Sequence, residues 1–375
     1  KTAGAIEAAA STGGQLMPPV MGAAAFLLAE NLQASYIDVM LAALIPSLLY
    51  YFSLFVFADL EAGRLNISRV AEEKIPPMGR VMRKGWFVFM PFAVLLVGLF
   101  TFNLRPETAA LAAILVLFGL SLVQTYNGSR VTLKVLIGVF VSAGRAAVEI
   151  ILICAIAGMI IGLVARSGLS FGLGFFLVQL GQSSLLLLLI VTALVCIVMG
   201  MGLPTVGVYL LLASLAAPPL VELGLQPMAA HMFVLYFGML SMLTPPVAIA
   251  AFVAANMAKA PTMATAVEAV RIAWPAYLIP FFFVASPALL FYGSGGIIAV
   301  TMITSLVGVY SITGGIVGFI GRNLPVSERI VVIAVGMAIL CPLEAFSGAP
   351  WLKAIGLLLL FGFFILQKIR RSVPR

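Results

Sequence analysis

Apolar residues in this chain neither alternate nor collect on a single helical stripe; they run on for about 20 positions at a time between short polar clusters. Uninterrupted stretches cover residues 36–60, 85–103, 108–126, 146–165, 274–291, 295–320, 328–343 and 351–367. Each is near the length a helix needs to cross roughly 30 Å of hydrocarbon. The pattern predicts an all-α polytopic membrane protein.

Three further apolar regions are punctuated. Residues 1–30 break at Ser11-Thr12-Gly13-Gly14 and at Pro18-Pro19, residues 184–217 at Gly200-Met201-Gly202-Leu203-Pro204-Thr205, and residues 228–258 at Ser241-Met242-Leu243-Thr244-Pro245-Pro246. Each break leaves halves of about 10 to 16 residues, too short to cross alone. The pattern predicts a discontinuous helix, a re-entrant hairpin and a second discontinuous helix.

Composition removes the main rivals to this reading. Of 375 residues, 63% are hydrophobic and 9% charged, against roughly 25% charged in a soluble domain. A soluble globular domain, a disordered chain and a fibrous repeat are all excluded. The formal charge of +8 raises nucleic acid as a partner, but the 21 Lys and Arg cluster between apolar runs and do not interleave with aromatics. No nucleic-acid partner is expected. Cys154, Cys196 and Cys341 each lie inside an apolar run without CxxC spacing, as small core residues do. The sequence opens on Lys1 without a signal peptide, so it is expected to begin within a longer protein.

Basic residues in short loops mark the cytoplasmic side. Segment 61–84, with Arg64, Arg69, Lys74, Arg80, Arg83 and Lys84, is therefore placed inside. Counting crossings from it puts Lys1, Arg130, Lys134, Arg145, Lys259, Arg271, Arg322, Arg329 and the C-terminal Lys368, Arg370, Arg371 and Arg375 inside as well. Only Arg105, Arg166 and Lys353 fall outside. The C-terminus is expected to be cytoplasmic.

An internal repeat emerges from the breaks. Pro18-Pro19-Val20 followed by Ala24-Ala25-Phe26 recurs as Pro245-Pro246-Val247 followed by Ala250-Ala251-Phe252, one residue shorter. By the crossing count the first copy runs outward and the second inward, so the repeat is inverted. Inverted repeats with broken helices at matching positions are the sign of a secondary transporter whose sites lie near the bilayer midplane. A broken helix exposes half-helix ends and backbone carbonyls, which can coordinate a dehydrated cation or hold an anion. Here Ser11, Thr12 and Thr244 offer hydroxyl oxygens, Gly13, Gly14, Gly200 and Gly202 let the chain turn, and Pro18, Pro204 and Pro245 end helices. Oxygen donors without thiolate or imidazole suit a hard cation such as sodium.

These same residues carry a family resemblance. The stretch from Glu7 through Ser11-Thr-Gly-Gly-Gln-Leu-Met-Pro-Pro-Val20 to Phe26, with Ala29-Glu30 after it, resembles the large membrane subunit of tripartite ATP-independent periplasmic (TRAP) transporters. It is most similar to the branch with fused large and small subunits and a TAXI-type binding protein. Met199-Gly-Met-Gly-Leu-Pro-Thr205 through Leu243-Thr-Pro-Pro-Val247 is similar to the second half of that subunit, and the resemblance covers roughly residues 1–291. It implies a scaffold, a mobile elevator-type transport domain and sodium coupling.

Carried onto this chain, the resemblance implies one sodium site at the Ser11 to Gln15 break. A second is implied where the tip at Gly200, Gly202 and Thr205 meets Ser241 and Thr244. Substrate would lie between them, near Glu7, Gln15, Pro204 and Pro245. The expected partners are an extracytoplasmic TAXI-type protein, a small membrane subunit or fused upstream region, and a small organic anion, with no cofactor besides the coupling sodium ions. The family's first hairpin would precede residue 1, so half of the first ion site is expected upstream and the fragment alone is not expected to transport.

The implied organisation is residues 1–30 as the first discontinuous helix, 31–145 as scaffold helices and a cytoplasmic loop, 146–291 as the second half, and 292–375 as additional spans. Other polar residues keep two readings. Glu7, an acid in a membrane helix, is a ligand or substrate contact, or an interfacial charge. Gln15 binds substrate or caps freed backbone. His231 reads as a structural or interfacial residue, Arg145 and Glu149 as an i, i+4 pair, and segment 131–143 as an interfacial stretch. Glu222 and Gln226 occupy an outside loop. An intramembrane enzyme would need paired acids or a nucleophile and base within spans, and a single His with scattered carboxylates argues against one. An ion channel is disfavoured by two inverted copies in one chain. A binding-protein-independent elevator carrier is the alternative within transport.

Overall fold

A computed structural model describes residues 1–68, 75–102, 104–123 and 132–372. Within these the chain is helical, with one isolated antiparallel bridge between Phe319 and Asn323. It divides into two compact units. One comprises Lys1–Ala34, Asp38–Ile67 and Ala157–Arg375, the other Ser35–Ile37 and Ser68–Ile156.

The larger unit opens with α1 (Thr2–Gly13) and α2 (Ala23–Asn31), followed by α3 (Tyr36–Arg64), most of which belongs to it. At 29 residues, α3 is about 43 Å long, more than the hydrocarbon requires. The smaller unit contains α4 (Met78–Gly85), a single 3-10 turn (Trp86–Val88), α5 (Phe89–Phe100) and α6 (Pro106–Val123). The last two pair closely at Gly98, where an added Cβ would lie 3.2 Å from the Ala109 methyl. Helix α7 (Leu133–Ser167) begins in this unit and ends in the larger one.

The larger unit resumes with α8 (Leu169–Ser183), α9 (Leu185–Gly200), α10 (Thr205–Leu215) and α11 (Ala217–Glu222). Then come α12 (Pro227–Leu240), α13 (Ile249–Met257), α14 (Thr262–Ile272) and α15 (Trp274–Ala285). Its centre is α12, whose residues from Met232 to Leu240 are all buried. There Phe233 and Phe237 meet Phe281 at 5.5 and 5.6 Å between ring centroids, and Tyr236 meets Phe283 at 5.7 Å. Such edge-on contacts orient rings beyond what apolar burial achieves.

Three further helices, α16 (Gly295–Val317), α17 (Val326–Leu340) and α18 (Ala349–Ser372), close the chain. Lipid tails are as apolar as leucine, so helices in a membrane associate through close packing of small residues. Gly308 and Gly336 provide it between α16 and α17: a Cβ on the first would sit 3.0 Å from the Gly336 carbonyl, and one on the second 2.9 Å from the Gly308 carbonyl.

The architecture is the expected all-α polytopic one, and all three breaks are present. Three local expectations change. Residues 133–143 are not a separate interfacial stretch, because α7 runs through them without a turn. Helix α8 occupies a stretch to which the apolar pattern assigned no element, beginning after Gly168 in a left-handed conformation with φ of 72°. Helix α14 fills most of another, and with α15 it makes one span from Thr262 to Ala285. The Arg145 to Glu149 pairing lies outside what is described, as do the C-terminal basic side chains and residues such as Arg69, Lys74 and Arg130.

Candidate ion and substrate site

Prolines remove amide donors and force the chain out of the helix at both interruptions. Three of the bonds that replace the helical ones recur in the same register at each. In the first copy Gln15 N donates to Thr12 O at 3.2 Å, Leu16 N to Gly13 O at 2.9 Å and Met21 N to Met17 O at 3.2 Å. In the second, Met242 N donates to Met239 O at 3.1 Å, Leu243 N to Leu240 O at 3.0 Å and Ala248 N to Thr244 O at 3.2 Å. Both prolyl pairs contain a cis bond, and both turns end on a residue of positive φ, Met21 and Ala248. The register sets Gly14 against Ser241, Gln15 against Met242 and Met17 against Thr244.

Around the first break, Ser11 donates its hydroxyl to Glu7 Oε1 at 3.0 Å, both side chains lying on the exposed face of α1. Thr12 is buried. Gly13 is still helical, and its lack of a side chain serves packing: a Cβ there would lie 2.2 Å from Tyr50 Cε1. Gly14 is exposed and right-handed, with φ of −57°. The aliphatic part of Gln15 lies against Gly22, whose amide donates to the Gln15 carbonyl at 2.9 Å.

The hairpin tip between α9 and α10 packs on the second break. A Cβ on Gly200 would come within 2.7 Å of Ser241 Oγ and 2.9 Å of the Gly238 carbonyl, so only glycine allows this approach. Gly202 differs: it has φ of 82° and open space around it, so conformation rather than crowding requires glycine. Pro204 precedes α10 as its N-cap, and Thr205 reaches the Met242 sulfur at 3.5 Å. Ser241 is buried and donates to the Gly238 carbonyl at 2.6 Å. Thr244, next to Pro245, bonds the Leu240 carbonyl and the Tyr277 hydroxyl, each at 2.7 Å.

The structure therefore brings Gly200, Thr205, Ser241 and Thr244 around one break, and Glu7 and Ser11 together at the other. The donors at the second break are hydroxyl and carbonyl oxygens, a hard and uncharged set that fits sodium.

Several contributors escaped the sequence reading. Tyr50 and Tyr51 of α3 donate to the Ala9 and Ala10 carbonyls, each at 2.8 Å, and hold α1 just before its break. Tyr277 on α15 serves the second break. It lies as far beyond Pro245 as Tyr50 lies beyond Pro18, a spacing visible in the sequence. Tyr209 on α10 bonds His231 Nδ1 of α12 at 2.9 Å. His231 thus has a hydrogen-bond partner on the neighbouring helix. The Tyr236 hydroxyl in α12 is fully buried and without a partner among the described residues.

Residues 1–295 match the family of the DctM component of tripartite ATP-independent periplasmic transporters. The chain belongs to that family. A search of curated proteins finds no match. As a large component of a TRAP system it is a permease subunit, a multi-pass protein of the inner membrane. It works with a substrate-binding protein and a small membrane subunit. The TRAP match spans both breaks and the hairpin tip and stops at the start of α16.

The TRAP portion is nonetheless tied to the three C-terminal helices. Arg271 of α14 pairs with Glu268 at 2.9 Å, lies over the Phe57 ring at 5.5 Å, and donates to the Ile316 carbonyl at 2.8 Å. Arg329 of α17 donates to that carbonyl at 3.0 Å and to the Gly315 carbonyl at 2.9 Å. These guanidinium groups satisfy carbonyls at the end of α16, which a helix leaves without partners.

Proposed function

We propose that this chain is the permease of a sodium-coupled TRAP transporter that imports a small organic anion, a carboxylate, delivered by a TAXI-type extracytoplasmic binding protein. One observation carries the reading: the hairpin tip at Gly200 meets the second helix break at Ser241, while Tyr277 holds Thr244 at its edge. Thr205, Ser241 and Thr244 supply hydroxyl oxygens to a coupling ion, and the tip carbonyls complete its shell. The first break contributes Ser11, Thr12, Gly13 and Gly14 to a second ion. Gln15, Pro204 and Pro245 face the substrate between them, with Glu7 at the margin. A sodium ion supplies positive charge that draws the carboxylate into a site with no basic side chain at either break.

Irregular backbone at membrane depth is tolerated only where protein or a watery cavity surrounds it. Closure of the tip over the break provides that surrounding, and the transport elements carry ion and anion across together by an elevator movement. The C-terminus is cytoplasmic, as the distribution of basic loops predicts.

The test is uptake by the full-length protein with its binding protein in liposomes, under imposed sodium or proton gradients. Uptake with sodium and none with protons alone is expected; equal uptake with protons alone overturns sodium coupling. Uptake that persists without the binding protein would instead identify a self-sufficient carrier.

A further inference from the structure

Helix α4 is unlike the other helices of the chain. Over Met78–Gly85 its periodicity sets Met78, Val81 and Met82 on one face and Arg80 and Arg83 on the opposite face. Both faces are open. Met78 is 74% exposed, Val81 48% and Met82 43%, and Arg80 and Arg83 are exposed with no carboxylate partner among the described residues. Exposed methionines and valine cost free energy in water, at about 25 cal/mol per Å². Unpaired arginines cost free energy in hydrocarbon. Only a boundary between the two satisfies both faces.

Chain continuity points to the same boundary. The 3-10 turn Trp86–Val88 comes directly after α4, with Trp86 48% exposed, and α5 then enters as a wholly apolar helix. A tryptophan where a basic amphipathic helix gives way to an apolar one is the arrangement found at headgroup level.

We infer that α4 lies in the membrane interface and binds anionic phospholipid headgroups through Arg80 and Arg83, with Met78, Val81 and Met82 in the upper acyl region. Each guanidinium offers a planar fork of donors to phosphate oxygens. The negative surface of the cytoplasmic leaflet adds long-range attraction. Helix α4 thus fixes the depth at which α5 starts its crossing. The inference needs no assumption about the coupling ion or the transported anion.

The experiment uses the full-length protein in liposomes containing phospholipid doxyl-labelled near the carbonyl end of one chain, carried on either phosphatidylglycerol or phosphatidylcholine. Subtracting the quenching curve of Trp86→Phe from that of the native protein isolates Trp86. Quenching is expected to be about twofold stronger with labelled phosphatidylglycerol at equal mole fraction. The preference should vanish in the Arg80→Gln/Arg83→Gln double variant, persist in Arg80→Lys/Arg83→Lys, and shrink as salt rises from about 0.05 to 0.5 M. Equal quenching by both lipids in the native protein overturns the headgroup assignment. No quenching of Trp86 by either lipid overturns the interfacial placement, and a preference unchanged by the glutamine pair removes Arg80 and Arg83 from the site.

Discussion

At the first interruption Tyr50 and Tyr51 reach across from α3 and take carbonyls of α1; at the second, Tyr277 reaches across from α15 and takes a side-chain hydroxyl, that of Thr244. The turns share most of their backbone bonds, three of them in strict register, yet Gly14, Gln15 and Met17 in one copy stand where Ser241, Met242 and Thr244 stand in the other. Backbone and chemistry have separated. Prolines and short-range amide bonds fix the shape of the turn, and side chains placed on that shape decide what each copy can hold. The two breaks are therefore one scaffold carrying two different donor sets, and their variants should behave differently.

The largest contrast is expected from the hairpin tip. Gly200→Ala pushes the tip off Ser241 and Gly238, and a displacement near 1 Å at a reacting site costs on the order of 100-fold in rate. Sodium-driven uptake in liposomes should fall accordingly while membrane insertion is kept. Gly14→Ala on the exposed side of the first break keeps the right-handed backbone and the carbonyl that Gly14 offers an ion, and should leave uptake within about twofold. Comparable losses in both would erase the distinction.

Next comes Gly13→Ala, which places a methyl against the Tyr50 ring. Overpacking costs about 1–3 kcal/mol, so thermal unfolding in detergent should move to lower temperature. Tyr50→Leu should remove most of that penalty in a double-mutant cycle. Additive effects would show that the two do not press on each other.

A smaller effect is expected at the second tyrosine contact. Thr244→Ala and Tyr277→Phe each delete a bond worth about 0.5–1.5 kcal/mol. Through the geometry of the second break, the sodium concentration at half-maximal uptake should rise about three- to tenfold, and the double variant should do no worse than Thr244→Ala. The smallest is Tyr51→Phe, which should shift unfolding by about 1 kcal/mol and leave the sodium titration where it was. A sodium shift there would mean that the first break depends on its tyrosines as the second does.

The interruptions were legible because glycine and proline punctuate an apolar chain loudly. Serine and threonine beside them pointed to oxygen chemistry, and the paired Pro-Pro-Val segments exposed the repeat. Helices α8 and α14 were not legible. The first carries Gly172, Gly174 and Gly181, which dilute a helical signal, and the second is short and partly polar, acquiring its length only by continuing into α15. The start of α7 was missed for the opposite reason, since an apolar run with Lys134 at its head reads equally as a surface segment. Tyr50 and Tyr277 share a spacing from their prolines, but a hydroxyl inside an apolar span gives no hint of its partner, 41 residues away for Tyr50 and Tyr51 and 33 for Tyr277.

A single carbonyl limits how the molecule can be divided. Ile316 O receives Arg271 from within the family match and Arg329 from beyond it. The family match ends at residue 295, but the hydrogen bonding continues across that point. A shortened version ending there would deprive Arg271 of the Ile316 carbonyl and leave it Glu268, the Phe57 ring and the nearby charge of Glu61. The three C-terminal helices belong to the same compact unit as most of the matched portion.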